Sequence, residues 1–303
     1  MKVGLALLVV LLGGLGAWLW TPDLPRVELE SRYSHGIADF REIEGMRLHV
    51  RVEGPANAPV VILVHGFGAS LQSFDAWSRG LPDYRVIRFD LPGFGLSAVD
   101  PTDDYTDTRS LQVLLALMDS MNIERATLAG HSIGGRIAWK FAAAHPERVA
   151  RLVLISPDGF ASPGFEYGKA AEVPATLGLM RYALPKSLLK MNLLPGYADP
   201  DFVSDALVTR YHDLMLAPGA RDAMLRRLQQ TVLEDPEPIL ASIRMPVLLL
   251  WGEQDAMIPI ANAEDYLRVL PNARIVRLPG VGHLAHEEGA AASLAALRDF
   301  IAG

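Results

Sequence analysis

The sequence contains no cysteine among its 303 residues. This absence excludes disulfides, thiolate metal sites, a cysteine nucleophile and a lipid-modified N-terminal cysteine. Basic runs are absent too, and 28 Lys and Arg residues against 35 Asp and Glu residues give a formal net charge of −7. The charge pattern therefore argues against nucleic acid as a partner.

Metal-ligand spacing is also missing from the histidines and carboxylates, so we expect no metal and no cofactor. The chain shows no internal repeat and no low-complexity tract. What it does have is a large apolar fraction, 50% of the residues. With this length, that fraction predicts one large globular domain, or a domain with an insertion.

The longest uncharged run lies at the N-terminus. Val3 to Trp20 comprises eighteen residues, and a helix of that length measures about 27 Å and just crosses the hydrocarbon layer. Lys2 marks a cytoplasmic inner end, and Trp18 and Trp20 lie where an interfacial aromatic belt is found. We therefore expect residues 1–22 to form a single-pass anchor in the cytoplasmic membrane, with the body of the protein on the periplasmic side.

A cleaved signal peptide is the alternative interpretation of the same run. It takes Val3 to Leu12 as the apolar h-region and Gly14-Leu15-Gly16 as a small-residue cleavage site, and it predicts a secreted or periplasmic protein. In either case Thr21 to Pro25 is typical of a short stiff linker.

Strand-like and helix-like patterns alternate from about Phe40 onwards. Continuous apolar runs at 59–65 and 84–90 predict buried strands, and the apolar spacing within 107–122 predicts a helix. Further strands are expected at 126–129, 151–156, 245–251 and 273–278. This alternation predicts an α/β fold with a mainly parallel sheet and helices on both faces.

The strand signal disappears between Asp158 and about Ser242. Prolines interrupt several short helical runs there, and the sheet pattern resumes directly afterwards. The sequence therefore predicts a core in two parts, 40–157 and 243–303, with a helical cap at 158–242 over the carboxyl edge of the sheet. Ordinary surface helices are the alternative for this insertion.

The five residues Gly130-His131-Ser132-Ile133-Gly134 fit the pattern G-x-S-x-G. They follow a short apolar strand and precede a helix-like run. A tight turn in that setting lifts the serine hydroxyl above the sheet edge, and the flanking glycines permit the turn. Ser132 is therefore the candidate nucleophile.

A serine hydroxyl needs a base, and the base needs a carboxylate. His283 follows the strand at 273–278 in a glycine-rich loop, and we favour it over His131 and His286. Asp255 follows the strand at 245–251, at the same edge of the sheet, and is the predicted acid. Asp158, in a turn after an earlier strand, is its competitor.

The oxyanion of the reaction needs donors aimed at it. The backbone N–H of Ile133 follows the nucleophile, and the glycine-rich loop at 65–68 supplies Phe67 as the second predicted donor. His65 is more typical of a buried, hydrogen-bonded scaffold residue.

These residues, in this order, resemble the α/β-hydrolase superfamily. The resemblance is carried by the following segments: His65-Gly66-Phe67-Gly68, residues 90–97 (DLPGFGLS), residues 130–135 (GHSIGG), residues 145–149 (HPERV), residues 251–255 (WGEQD) and Gly282-His283. It covers about Phe40 to the C-terminus and implies the fold of that superfamily with an inserted helical cap. The chain order Ser, Asp, His is the one that this fold uses.

The resemblance is closest to bacterial lipases and esterases with a helical cap, and it implies hydrolysis of small hydrophobic esters. Ser132 argues against dehalogenases and epoxide hydrolases, which carry a carboxylate there. Two alternative functions remain: carbon–carbon bond hydrolysis of ring-cleavage diketones, and the reaction of cofactor-free perhydrolases. A third alternative is a non-enzymatic binding scaffold, but the complete triad argues against it.

Overall fold

The computed structural model describes residues 19–160, 166–170 and 172–303. Its strands are β1 (Phe40–Ile43), β2 (Met46–Glu53), β3 (Val60–Val64), β4 (Arg85–Phe89), β5 (Ala126–His131), β6 (Val149–Ile155), β7 (Val247–Gly252) and β8 (Ala273–Leu278). They form one sheet in the order β1-β2-β4-β3-β5-β6-β7-β8. β2 pairs antiparallel with β1 and β4, and all other neighbours are parallel.

The α-helices are α1 (Arg26–Tyr33), α2 (Asp75–Arg79), α3 (Asp107–Ser120), α4 (Ile133–Ala144), α5 (Lys186–Leu193), α6 (Asp205–Met215), α7 (Ala220–Gln230), α8 (Glu237–Leu240), α9 (Asn262–Val269) and α10 (Ala290–Ala302). Short 3₁₀ helices lie at Ile37–Asp39, Leu71–Phe74, Pro146–Arg148, Ala175–Arg181, Leu194–Gly196 and Pro200–Phe202.

Both faces of the sheet are buried, and β3 illustrates why its sequence is continuously apolar. Ile62 and Val64 belong to a core cluster with residues of α3, α4 and α9. Val61 and Leu63 belong to a second cluster, with residues of α2 and α10. Alternate side chains point to opposite faces of a strand, so a strand covered on both faces must be apolar throughout. The predicted α/β class, with a mainly parallel sheet between helices, is confirmed.

Helix α4 lies unusually close to the end of β3. A Cβ atom on Gly134, in its first turn, would lie 2.4 Å from the carbonyl oxygens of both Val64 and His65. Only a residue without a side chain permits this approach. The glycine therefore sets the distance between the helix that follows Ser132 and the loop that follows β3.

Helices α5 to α8 occupy the segment between β6 and β7. Leu189 of α5 and Tyr211 of α6 form an apolar cluster with Ala69 and Leu284, which belong to loops of the core. The cap therefore rests on the carboxyl edge of the sheet. The boundaries 40–157, 158–242 and 243–303 stay predictions.

We correct the predicted single-pass membrane localisation. No helix within residues 19–160, 166–170 and 172–303 is long and apolar enough to cross a membrane. The predicted segment Val3–Trp20 lies outside the described residues except for Leu19 and Trp20. Trp20, expected at a membrane interface, instead stacks on Tyr182 of the cap with 5.9 Å between ring centroids.

The predicted linker at 21–25 also lies against the protein rather than holding it at a distance. The Thr21 amide donates to the Tyr182 carbonyl at 2.8 Å. Arg221 of α7 donates to the Thr21 carbonyl at 2.8 Å and also binds the Asp23 carboxylate at 2.5 Å. This stretch is therefore an edge of the cap.

Helix α1 is an element that the sequence pattern did not predict. Its fully buried Leu29 packs with Leu96 and with Leu214 of the cap. Arg32 and Tyr33 donate to the Asp213 carboxylate at 2.8 Å and 2.9 Å. The helix therefore joins the core to the cap.

We expect Gly134→Ala to lower the free energy of unfolding by about 1–3 kcal/mol, the usual cost of overpacking. The added Cβ would overlap two backbone oxygens that cannot rotate away. Urea unfolding measures the change. Gly178→Ala is the matched control, because its Cβ would meet only Arg181 Nη1, at 3.8 Å. Equal unfolding free energies for the two variants would contradict the close approach.

Candidate active site

Ser132 lies at the junction of β5 and α4 with φ 53° and ψ −120°. Residues other than glycine rarely adopt such a positive φ, and it is a strained conformation. Two hydrogen bonds to the end of β6 and the residues after it hold the strained residue in place. Its amide donates to the Ile155 carbonyl at 3.0 Å, and its carbonyl accepts from the Asp158 amide at 3.0 Å. The end of β6 therefore fixes the predicted nucleophile.

Close backbone packing surrounds this turn. A Cβ on Gly130 would lie 2.2 Å from the Gly134 carbonyl oxygen, so both glycines of the motif are required by space. A Cβ on Gly66 would lie 2.6 Å from His131 Nδ1. The loop after β3 is thus packed directly against the turn that carries Ser132.

His283 and Asp255 come together at the carboxyl ends of β8 and β7. The His283 Nδ1–H donates to Asp255 Oδ2 at 2.8 Å, and both side chains are buried. Asp255 Oδ1 accepts from the amides of Met257 and Ile258 at 2.9 Å and 2.8 Å. These three hydrogen bonds fix the imidazole with Nε2 free to act on another group.

The cap also holds the histidine loop. The His283 amide donates to the carbonyl of Gly196, in the cap, at 2.9 Å. A Cβ on Gly282 would lie 2.8 Å from the same oxygen. The backbone position of the predicted base therefore depends on the cap as well as on the sheet.

His131, the residue before Ser132, is the link between Ser132 and His283. The rings of His131 and His283 lie 4.5 Å apart, and His131 Nε2–H donates to the His283 carbonyl at 3.1 Å. Within the described residues, no hydrogen bond joins the Ser132 hydroxyl to the imidazole of His283. Catalytic contacts of this type are often long in unliganded enzymes and tighten when substrate binds.

Asp158, the alternative candidate for the acid, pairs with an arginine and not with His283. Its carboxylate forms an ion pair with Arg136 of α4, whose guanidinium also binds Asp107 at 3.1 Å. The structure therefore brings Asp255, and not Asp158, to His283.

Neither of the two predicted oxyanion donors has a hydrogen-bond acceptor among the residues that the structure describes. Ile133 is the first residue of α4, so its N–H has no acceptor within the helix. The Phe67 amide likewise makes no hydrogen bond to any part of the chain that the structure describes. Both residues line the same cavity.

Buried polar groups hold the loop that carries Phe67. His65 Nδ1–H donates to the Gly66 carbonyl at 2.7 Å, and His65 Nε2 accepts from the Leu91 amide at 3.0 Å. Asp90 accepts from the amides of Leu71 and Leu96 at 2.7 Å and 2.8 Å. The segment at 90–97 is therefore a scaffold for the loop after β3.

His131 and His286 lie in a buried cluster of aromatic rings beside His283. The ring centroids of His131 and His286 lie 4.6 Å apart, and those of His286 and Phe74 lie 4.2 Å apart. Burial lowers the pKa of His286 to about 3 and holds that of His131 well below its usual range, with the neighbouring histidines adding to both effects. His286 is thus a neutral core residue and is not solvated.

A cavity of about 350 Å³ opens beside the turn. Apolar side chains from both the core and the cap dominate its wall: Phe67, Ile133, Phe160, Val173, Pro174, Leu177, Leu228 and Leu233. Charged residues are also present: Arg136, Asp158, Glu172 and Arg227. Val173 and Leu177 of the cap line this cavity, whereas Leu189 packs the cap onto the core.

The sequence did not predict two groups of the site. The carbonyl of Gly196 and the guanidinium of Arg227 both come from the cap, which holds no motif of the resemblance. No local pattern distinguishes Arg227 from its neighbour Arg226, and only the folded helix α7 separates them.

A family model described as the alpha/beta hydrolase fold matches residues 59–290. The chain belongs to the alpha/beta hydrolase family. As a hydrolase of this family, it is similar to the 2-hydroxy-6-oxo-6-phenylhexa-2,4-dienoate hydrolase of Burkholderia cepacia, with 28% identity over 86% of this chain and 93% of that protein. A solved hydrolase from Pseudomonas aeruginosa superposes with a TM-score of 0.76 at 26% identity, over 89% of this chain and all of that one.

A third relative is longer than this hydrolase. The dihydrolipoyllysine-residue acetyltransferase component of the acetoin cleaving system of Pseudomonas putida is 32% identical over 82% of this chain. The chain spans 65% of the length of that relative. The predicted superfamily is confirmed by the family match, whereas the roles of Ser132, His283, Asp255, Phe67 and Ile133 stay predictions.

We expect Asp255→Asn to lower kcat of ester hydrolysis by about 10⁴-fold, because the imidazolium loses its counter-charge and the wrong tautomer is permitted. Steady-state kinetics on an activated ester measure the loss. Asp158→Asn is the control and should cost much less, since its partner Arg136 keeps Asp107. A larger loss in Asp158→Asn would move the acid to the end of β6.

The burial of His286 predicts a loss of stability in mild acid. The native pKa of about 3 lies below the ordinary value of 6.5, so between these pH values the unfolded chain binds a proton that the native protein does not. The contribution of His286 to the free energy of unfolding is therefore complete above about pH 6.5. It falls by about 1.4 kcal/mol per pH unit as the pH decreases towards 3.

Urea unfolding at a series of pH values tests this expectation. His286→Met should reduce the acid slope by about one proton, whereas the exposed His35→Gln should leave the slope unchanged. An unchanged slope in His286→Met would show that this histidine is already protonated in the native protein.

Proposed function

We propose that this hydrolase cleaves carboxylic esters with hydrophobic acyl groups through an acyl-enzyme on Ser132. One observation carries the proposal. The strained Ser132 lies between Ile133, which lines a largely apolar cavity together with Phe67, and His131, whose ring lies beside His283 of the buried pair with Asp255.

The reaction begins when the Ser132 hydroxyl attacks the ester carbonyl carbon and His283 Nε2 takes its proton. The carbonyl oxygen becomes an oxyanion, which accepts from the amides of Phe67 and Ile133. Asp255 stabilises the imidazolium through Nδ1–H. His283 then gives the proton to the departing alkoxide, and the alcohol leaves.

Deacylation repeats these steps with water. His283 takes a proton from the water as its oxygen attacks the acyl carbon, and the same two amides hold the second oxyanion. Collapse of this intermediate returns the proton to Ser132 and releases the carboxylic acid.

Carbon–carbon bond hydrolysis is the second candidate, because the Burkholderia cepacia relative is a dienoate hydrolase. That chemistry must hold a dienolate and its carboxylate. Arg227, in the cavity wall, is the cap cation that this chemistry would use, and five other cations of the cap are engaged elsewhere. Arg210 pairs with Glu287, Lys190 with Asp205 at 3.4 Å and Arg181 with Asp222 at 2.5 Å. Lys169 pairs with Glu166, and Lys186 donates to Thr209 at 3.1 Å.

The proposal predicts that Ser132→Ala lowers ester hydrolysis by several orders of magnitude, up to about 10⁶-fold. Circular dichroism checks that the variant is folded. An organophosphonate should label the wild-type protein at one serine and should not label Ser132→Ala. Retained activity in the folded variant would exclude Ser132 as the nucleophile.

Substrate profiling separates the two candidates. We expect faster turnover of nitrophenyl esters of increasing acyl length than of a vinylogous ring-cleavage diketone. Faster turnover of the diketone than of every ester would reverse the ranking.

A further inference from the structure

Arg227 is a buried cation in the wall of the cavity, and it has no acidic partner. It belongs to α7 of the cap, and 2% of its surface is exposed. Within the described residues, no carboxylate lies within ion-pair distance of its guanidinium. Its Nε is buried without a hydrogen-bond partner. Arginine is rarely buried in this way unless it is paired, because desolvating a charge is costly.

The contacts that Arg227 does make are weak ones. Nη1 donates to the Ser110 hydroxyl of α3 at 3.2 Å. The guanidinium carbon lies 5.5 Å and 5.7 Å from the ring centroids of Phe94 and Tyr105. These neutral groups position the side chain across the boundary between cap and core, and they leave its charge uncompensated.

Three nearby acids are occupied by other cations. Asp100 binds Arg109 at 2.7 Å. Asp107 binds Arg136 at 3.1 Å and Lys140 at 2.9 Å. Asp158, on the cavity wall, pairs with Arg136, while Glu172 lies exposed at the rim.

The charge on Arg227 persists at neutral pH. Burial lowers its pKa to about 10, and Asp107 acts against that decrease. The cavity wall therefore carries the ion pair of Arg136 with Asp158, the exposed Glu172 and one buried cation, Arg227, without a carboxylate at ion-pair distance. The predicted oxyanion donors Phe67 and Ile133 line the same cavity.

We propose that Arg227 binds a carboxylate of the substrate, so that this hydrolase acts on esters whose hydrophobic acyl chain ends in an acid group. A planar guanidinium with free N–H groups matches a carboxylate in a bidentate manner. The substrate anion supplies the counter-charge that the free protein lacks. This inference rests on the proposed ester hydrolysis and adds the substrate class.

A pair of matched esters tests the proposal. The mono-4-nitrophenyl ester of adipic acid and 4-nitrophenyl hexanoate have acyl chains of equal length and differ in a terminal carboxylate. We expect the wild-type protein to prefer the half-ester, and we expect Arg227→Met to lower kcat/KM for the half-ester by about 10- to 100-fold, the usual range for hydrogen bonds to a charged group. The loss should fall mainly on KM, and kcat/KM for the hexanoate ester should change little.

Arg226→Met is the matched control. Arg226 is the preceding residue of α7, and it pairs with Asp103 at 3.2 Å at a half-exposed position outside the cavity wall. This variant should keep the wild-type preference. Equal losses on both esters in Arg227→Met, or no loss on either, would overturn the proposal.

Thermal unfolding gives a readout that is independent of turnover. Because Arg227→Met removes a buried charge without a partner, the variant should melt at a higher temperature than the wild-type protein. Free adipate should raise the melting temperature of the wild-type protein and not that of Arg227→Met. A shift in both proteins, or in neither, would overturn the anion site.

The two proposals fail in different ways. If ester hydrolysis is wrong, neither ester is turned over, and the adipate shift still reports on Arg227. If the anion site is wrong, hexanoate is hydrolysed and the half-ester has no advantage.

Discussion

The positive φ of Ser132 is the constraint on which the rest of the site depends. Such a backbone costs about 1–3 kcal/mol and persists only where the surroundings over-determine it. Here β6 holds the residue from one side through Ile155, and the glycines Gly130 and Gly134 let β5, α4 and the loop after β3 close around it. The same contacts bring Phe67 and Ile133 to one cavity. The turn and the two predicted oxyanion donors are therefore positioned together.

The cap is structurally part of the site. Gly196 holds the backbone of His283, and Glu287, whose side chain is 9% exposed, accepts from Tyr197 and Tyr211 of the cap at 2.8 Å and 2.9 Å. Burial raises the pKa of both tyrosines, so they stay neutral donors. A cap tied by buried polar groups next to the predicted base can control both access and the position of the imidazole.

The N-terminal region shows where local patterns mislead. The apolar run Val3–Trp20 predicted a membrane anchor, and the composition of Thr21–Pro25 predicted a linker. Neither pattern shows what Trp20 and the residues after it pack against. Trp20 stacks on the cap, and Arg221 binds the chain at Thr21 and Asp23. Helix α1 was missed for a related reason. It is eight residues long with only Leu29 buried, so it carries almost no apolar periodicity.

The sequence by itself determined the sheet and the chain order of Ser132, Asp255 and His283, because apolar runs mark buried strands and parallel strands end at a common edge. Only the tertiary structure decided which acid meets the histidine, since Asp158 and Asp255 both follow strands and differ in whether Arg136 is within reach. It also decided that Arg227 faces the cavity without a partner. Such contacts join residues far apart in the chain, and their distances follow from how the cap helices pack on the core, which local periodicity does not encode.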